Sequence, residues 1–403
     1  MGEGSGANGE WRRGSSMPSD ETRRLLRHPD APTRATLLEL LFDVVYVAAL
    51  ALLSTRLAQQ ATWTGAARVL VLLMAVWWIW SITALLTDFY NPDEPKIQVI
   101  VAWGMLGSIV MTATIPLAFA SLGWVFAGMY TAIHVVRGVV LVALLRGHQA
   151  QIRAARILCW FTLSGALWLA GAFLPNSARI VLWGVALLID YVAAALRYPT
   201  PRLGRVPLHQ YEKASVHLGE RYQQFVILAL GDIILVPLLL INRSDLTVTR
   251  MGMLLLAFVT MLLFWQIYVQ RAGSLLQVAI SERPARATRW APYTHLVMVA
   301  GIVSSAAGFE MLVSHSRARA GFGLVAVVIG GPTLFLLGRI VFAYQVFGRI
   351  AWARLGWLVL LVGAAPAFLS LPPMALAGYT VSVLLGVAVS DTARTLGRRE
   401  RKY

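Results

Sequence analysis

The sequence predicts an all-α membrane protein of about twelve transmembrane helices, arranged as two parallel six-helix repeats. Three observations predict it. The 403-residue chain is 58% hydrophobic and only 13% charged, whereas soluble domains carry about 25% charged residues. Apolar runs recur from end to end, each long enough to cross a bilayer, which takes roughly 20 residues. The second half also repeats landmarks of the first, at a nearly constant offset in the later helices.

Breaks at Pro, Gly and charge clusters place the spans near 36–57, 66–87, 97–118, 123–145, 154–174 and 178–197. A second set follows near 215–241, 248–270, 292–313, 321–345, 354–371 and 373–391. An even number puts both termini on one side. With that side taken as interior, 25 of the 35 Lys and Arg residues fall in interior segments or the span ends beside them, and 7 in or beside exterior loops. The positive-inside rule then places both termini in the cytoplasm. The net charge of +16 follows from the same bias, through contact with anionic lipid, and calls for no nucleic-acid partner.

The segments outside the spans have their own character. Residues 1–35 are Gly-, Ser- and Arg-rich with no apolar core, which predicts a disordered basic arm rather than a cleavable signal peptide. The first repeat then covers 36–197, a cytoplasmic linker 198–214, the second repeat 215–391 and a basic tail 392–403. The single cysteine, Cys159, lies in an apolar run and reads as a small core residue.

The repeat rests on matched landmarks. "WWIW" at 77–80 ends the second span as "LFWQIY" at 263–268 ends the eighth. In the fourth and tenth spans, 202 residues separate Arg137 from Arg339, and 201 separate Asp190 from Asp391 in the sixth and twelfth. Six helices per half make the repeats parallel, related by an axis along the membrane normal.

The candidate site residues are those a bilayer should reject. Glu39 and Asp43 stand four apart in "LLELLFDVVYVAALALLSTRL", so they share one helix face with Tyr46. That face must point into the bundle. Their charges repel unless a proton or a cation neutralises them, and Arg137, Arg221, Arg339 or a bound ion are the candidates. The seventh span, "VHLGERYQQFVILALGD", carries His217, Arg221 and Asp232 close to one stripe, with Glu220 and Gln224 beside it. Glu39, Asp43, Glu220, Arg221 and Asp232 are therefore the expected substrate- or ion-binding set. His134, Arg137, Asp190, His217, His295, Arg339 and Asp391 are supporting polar groups within the membrane, and Glu310 is a further buried acid. The "GGP" of Gly330, Gly331 and Pro332 reads as a helix break, tolerated where protein or water satisfies the freed carbonyls. Asp88, Asp93 and Glu94 fall at a loop and are expected to be solvated or paired with nearby Arg. No His-x3-His spacing, Walker A, dinucleotide loop or Gly-x-Ser-x-Gly occurs. No metal, cofactor or enzyme site is expected.

Several of these stretches resemble one known family. "LLELLFDVVYVAALALLSTRL" resembles the Glu-Leu-Phe-Phe-Asp-Leu-Val-Phe-Val signature that opens the low temperature requirement A family, and "HLGERYQQFVILALGDIIL" resembles its seventh-helix motif. "PYTHLVMVAGIVSSAAG" and "GGPTLFLLGR" are similar to its Tyr-x-His and Gly-Gly-Pro segments. The resemblance covers about residues 33–391 and departs at two points. Leu41 replaces the usual Phe, and Asp232 replaces the usual Glu, drawing that carboxylate back by about one methylene. The resemblance implies a multi-pass bacterial membrane protein linked to growth in the cold, and it brings no reaction with it.

The function expected from these residues is ion-coupled secondary transport, with a carboxylate-lined site between the repeats. The alternatives are a cation channel and a non-transporting scaffold or sensor linked to cold adaptation. Expected partners are membrane lipids, anionic on the cytoplasmic side, and a small solute or cation.

Overall fold

The computed structural model describes residues 24–28, 34–211, 216–241, 247–269, 284–314, 320–348 and 351–400. Among these residues it is all-helical, with twelve helices long and apolar enough to cross a membrane. They are α1 (Leu37–Gln59), α2 (Trp63–Phe89), α3 (Pro95–Leu117), α4 (Gly123–Leu144), α5 (Gln149–Ala172) and α6 (Asn176–Ala195), then α7 (His217–Ile241), α8 (Val248–Tyr268), α9 (Thr288–Ser314), α10 (Phe322–Gln345), α11 (Trp352–Ser370) and α12 (Pro373–Ala393). Each predicted span coincides with one of these to within about a helical turn and a half.

The bundle is organised around α2 and α9, the two most buried spans, each with 78% of its apolar window inside the protein. Their burial suits their composition, because α2 inserts Trp77, Trp78 and Trp80 into the core and α9 is rich in small residues. α9 touches α1, α2 and α6 of the first half and α7, α8, α10 and α12 of the second. α11 is the least buried span, held to α12 by Arg354, which donates to Asp391 Oδ2 at 2.5 and 2.9 Å.

Small residues let α9 and α10 approach closely, as membrane helices do when apolar surface alone cannot drive association. A Cβ on Gly301 would lie 2.5 Å from the Phe335 backbone nitrogen, and one on Gly331 would lie 2.4 Å from Ser305 Oγ. The Gly-Gly-Pro segment expected to break the tenth span is instead this contact surface. α10 runs through Pro332 without interruption, and Gly331 admits α9. The interruption falls in α7, which divides at Gly231 into Val216–Leu230 and Asp232–Ile241.

Several other expectations change. Within the arm expected over 1–35, residues 24–28 are pinned to the end of α2. Leu25 is buried, and its carbonyl accepts from the Asn91 N–H at 3.0 Å. Cys159 faces outward from α5 rather than into the core. Helical structure continues past α12 to Glu400, into the expected tail. Residues 198–211 fold as a compact cap in which Tyr198, Val206 and Tyr211 pack together. The described residues do not show the expected two parallel repeats, and the two matched arginines make different contacts. Arg137 of α4 donates to Thr83 near the end of α2, and Arg339 of α10 lies over Tyr268 at the end of α8. Burial does not follow the six-and-six register, which would pair α2 with α8, not α9.

Gly301→Val should separate α9 from α10 and lower stability by about 1–3 kcal/mol, the usual cost of overpacking. Gly330→Ala, whose Cβ meets nothing within 4 Å, should be close to neutral. Unfolding of the purified variants in detergent distinguishes the two.

Candidate functional site

The site begins at the first turn of α1. Thr36 and Glu39 form a capping box: Glu39 N–H donates to Thr36 Oγ1 at 3.4 Å, and Thr36 N–H donates to Glu39 Oε2 at 2.8 Å. This closes the helix start, where a carboxylate also meets the positive end of the helix dipole. Asp43 lies one turn on, and both acids face α7. There His217 and Arg221 repeat the same four-residue spacing, so a pair of acids on one helix meets a pair of bases on another.

Arg221 holds Asp43 with two parallel hydrogen bonds, Nη1 to Oδ2 and Nη2 to Oδ1, each 2.8 Å long. Trp80 of α2 donates to Asp43 Oδ1 at 2.7 Å. His217 Nε2 lies 3.1 Å from Glu39 Oε2, and its Nδ1 lies 3.5 Å from Asp88 Oδ1 at the end of α2. Arg221 Nε stands 3.8 Å from Glu39 Oε1. Arg27, from the segment before α1, donates to the Thr87 carbonyl at 3.0 Å and comes within 3.4 Å of His217 Nε2. Glu39, Asp43, His217 and Arg221 are each no more than 1% exposed. With an imidazolium at His217, three carboxylates and three cations balance.

Aromatic rings surround this cluster. Trp77 stacks on Trp80 with ring centres 5.0 Å apart, and Phe225 lies 4.3 Å from Trp80. Excluding water in this way strengthens each ion pair by lowering the local dielectric. The Tyr46 hydroxyl, on the same face of α1, pairs with Ser108 Oγ at 2.9 Å. Among the three arginines considered, the one that neutralises the α1 acids is therefore Arg221.

The other expected residues are distributed elsewhere. Glu220 is half-buried and accepts from Gln224 within α7 at 3.3 Å, so it does not join Glu39. Asp232 lies eleven residues beyond Arg221, about 16 Å along the helix at 1.5 Å per residue. It is fully buried, and neither carboxylate oxygen has a hydrogen-bond partner among the described residues. His134 and Arg137 contact one another on α4. Asp190 accepts from Tyr130 at 2.7 Å. His295 Nδ1 bonds the Ala291 carbonyl at 2.9 Å and its Nε2 pairs with the Tyr268 hydroxyl at 3.1 Å, beneath the Arg339 guanidinium. Asp391 pairs with Arg354. Glu310 is half-buried on α9.

Three participants escaped the sequence reading. Asp88, expected at a loop and there solvated or paired with a nearby Arg, is buried at the end of α2 beside His217. Trp80 served there only as a repeat landmark, although it binds Asp43. Arg27 fell in the expected arm. One available signal was the Thr-x-x-Glu of Thr36–Glu39, a helix-start signature that places Glu39 in the first turn of its helix.

This architecture defines a multi-pass membrane protein whose first, second and seventh spans are joined by a buried ion-pair network. The family model for bacterial low temperature requirement A protein (LtrA) matches residues 34–389, and the chain belongs to this family. It is 32% identical over 330 residues to an uncharacterized protein of Rhizobium meliloti (strain 1021), covering 80% of each chain. No solved structure matches it.

Asp43→Asn and Arg221→Met should each destabilise the protein by about 3–5 kcal/mol, because each strands a buried partner. The double variant should lose clearly less than the sum of the two. A double-mutant cycle from unfolding in detergent measures that coupling.

Proposed function

We propose that the chain is an ion-coupled secondary transporter of the bacterial inner membrane, with both termini cytoplasmic and H+ or Na+ as the coupling ion. The observation that carries this reading is the interruption of α7 at Gly231, followed at once by the buried Asp232. Transporter folds place ion sites at such broken spans, where half-helix ends face the ion. A carboxylate withdrawn from water and from every donor loses its charge by taking a proton or holding a cation.

The rest of the α7 chemistry fits this role. Arg221 and His217 fasten the other end of the same helix to Glu39 and Asp43. Ion loading at Asp232 thus acts on the second half of α7, beyond the break, while the first half, which also carries Glu220, stays seated. The partners are a small solute and the surrounding lipid, anionic on the cytoplasmic side. No enzymatic reaction is proposed. The internal ion pairs of Glu39 and Asp43 support a second reading, a non-transporting scaffold.

Purified protein in liposomes, with a trapped pH dye and radioactive Na+ as probes and a panel of small solutes added outside, tests the proposal. Saturable, solute-dependent flux of one ion, lost in Asp232→Asn and kept in Asp232→Glu, is the expected result. Conductive, non-saturating current in planar bilayers would replace the transporter with a channel. Absence of both from folded wild-type protein would leave the scaffold.

A further inference from the structure

A second polar feature lies apart from the α1–α7 network. Between α2, α4, α5 and the 198–211 cap is a partly open cavity whose lining includes Arg137, His134 and Arg153. Its walls are otherwise largely apolar and aromatic, with Phe89, Tyr198 and Tyr211 among them, and no Asp or Glu lines it. Arg137 is only 6% exposed. It donates to Thr83 Oγ1 at 3.1 Å and contacts His134 Nδ1, and it has no carboxylate partner among the described residues. A cation so placed in a membrane-spanning helix is costly without a counter-charge. His134, 1% exposed, also leaves its Nε2 without a hydrogen-bond partner.

Arg153 guards the same cavity from α5. Its guanidinium stacks over Phe89 at 4.0 Å and donates to the Tyr90 hydroxyl at 3.1 Å, neither of which removes its charge. The exposed Arg202 and Arg205 of the cap add positive potential nearby, which concentrates anions. Ligand sites of this kind combine apolar walls with a few polar groups that fix orientation.

We propose that this cavity binds an organic anion with an apolar body. Its carboxylate or phosphate pairs with Arg137 beside His134, and its apolar part lies among Phe89, Tyr198 and Tyr211. Arg153 contributes a second positive charge. The same chemistry is offered by the headgroup and upper chain of an anionic phospholipid and by a soluble alkyl or aryl acid. The site is distinct from Asp232, and its test is binding rather than flux, so either proposal can fail without the other.

Binding is measured on the full chain in neutral detergent, by calorimetry and by the shift in unfolding temperature. The probes are phosphatidylglycerol against phosphatidylcholine, and octanoate and phenyl phosphate against octanol and phenol. At least tenfold tighter binding of an anionic probe than of its neutral counterpart supports the proposal. If phosphatidylglycerol alone is preferred, the ligand is a lipid; preference for octanoate or phenyl phosphate makes it a soluble acid. Arg137→Gln should abolish the preference and Arg137→Lys should keep part of it. Ile157→Trp, which narrows the cavity from the half-buried side of α5 without removing a charge, should weaken binding of every anionic probe, and it decides the matter if Arg137→Gln fails to fold. Equal binding of charged and neutral probes, or anion binding unchanged in a folded Arg137→Gln or Ile157→Trp variant, overturns it.

Discussion

The twin hydrogen bonds from Arg221 to Asp43 join the seventh span to the first, and the arrangement of the surrounding helices depends on them. Neither charge is tolerable alone at its position. A stranded guanidinium or carboxylate in a water-free interior costs several kcal/mol, so α7 and α1 can pack only in the register that brings the two together. That register also delivers His217 to Glu39 and aligns the end of α2 with both. Trp80 and Asp88 then complete the shell from α2. A planar fork matched to a carboxylate fixes both distance and rotation, which a Lys in the same place would not do.

The ion pairs hold one end of the bundle, whereas shape holds its centre. α9 fits against α10 through glycine and serine, where the backbones approach too closely for a Cβ at Gly301 or Gly331. Against α2 it meets large aromatic side chains, with Trp77 donating to the Pro292 carbonyl at 2.9 Å. The two most buried helices therefore use opposite solutions, bulk in one and its absence in the other. α7 is shared by both regions, pinned electrostatically at its start and interrupted at Gly231 before its second half packs on α9. A helix fixed at one end and broken near the other can accommodate a change at Asp232 without releasing Arg221.

Much of this was visible in the chain before folding. The span positions follow from apolar run length, because a bilayer imposes a minimum length and forbids exposed backbone polar groups. That Glu39 and Asp43 face inward follows from their shared helix face and the cost of showing a carboxylate to lipid. The spacing of His217 and Arg221 was equally plain, and so was the unusual chemistry of α7. Less was visible at the edges of spans. Asp88 read as a loop residue because it ends an apolar run, yet α2 extends two residues further, to Phe89, and buries it. Gly330, Gly331 and Pro332 read as a break because their composition is that of a break. Close packing by α9 instead made Gly331 a point of contact, and the helix runs on through Pro332.

The sequence by itself determined the class of protein, the approximate positions of its twelve spans and the inward face of Glu39 and Asp43. Each of these depends on local composition and on the fixed thickness and polarity of the membrane. Only the tertiary structure decided the partners: Arg221 rather than Arg137 or Arg339 for Asp43, Tyr130 for Asp190, Arg354 for Asp391, and no hydrogen-bond partner for Asp232 among the described residues. Helical periodicity specifies which way a side chain points from its own axis. The group it meets depends on the lateral order and rotation of neighbouring helices, which the packing of all twelve spans sets together.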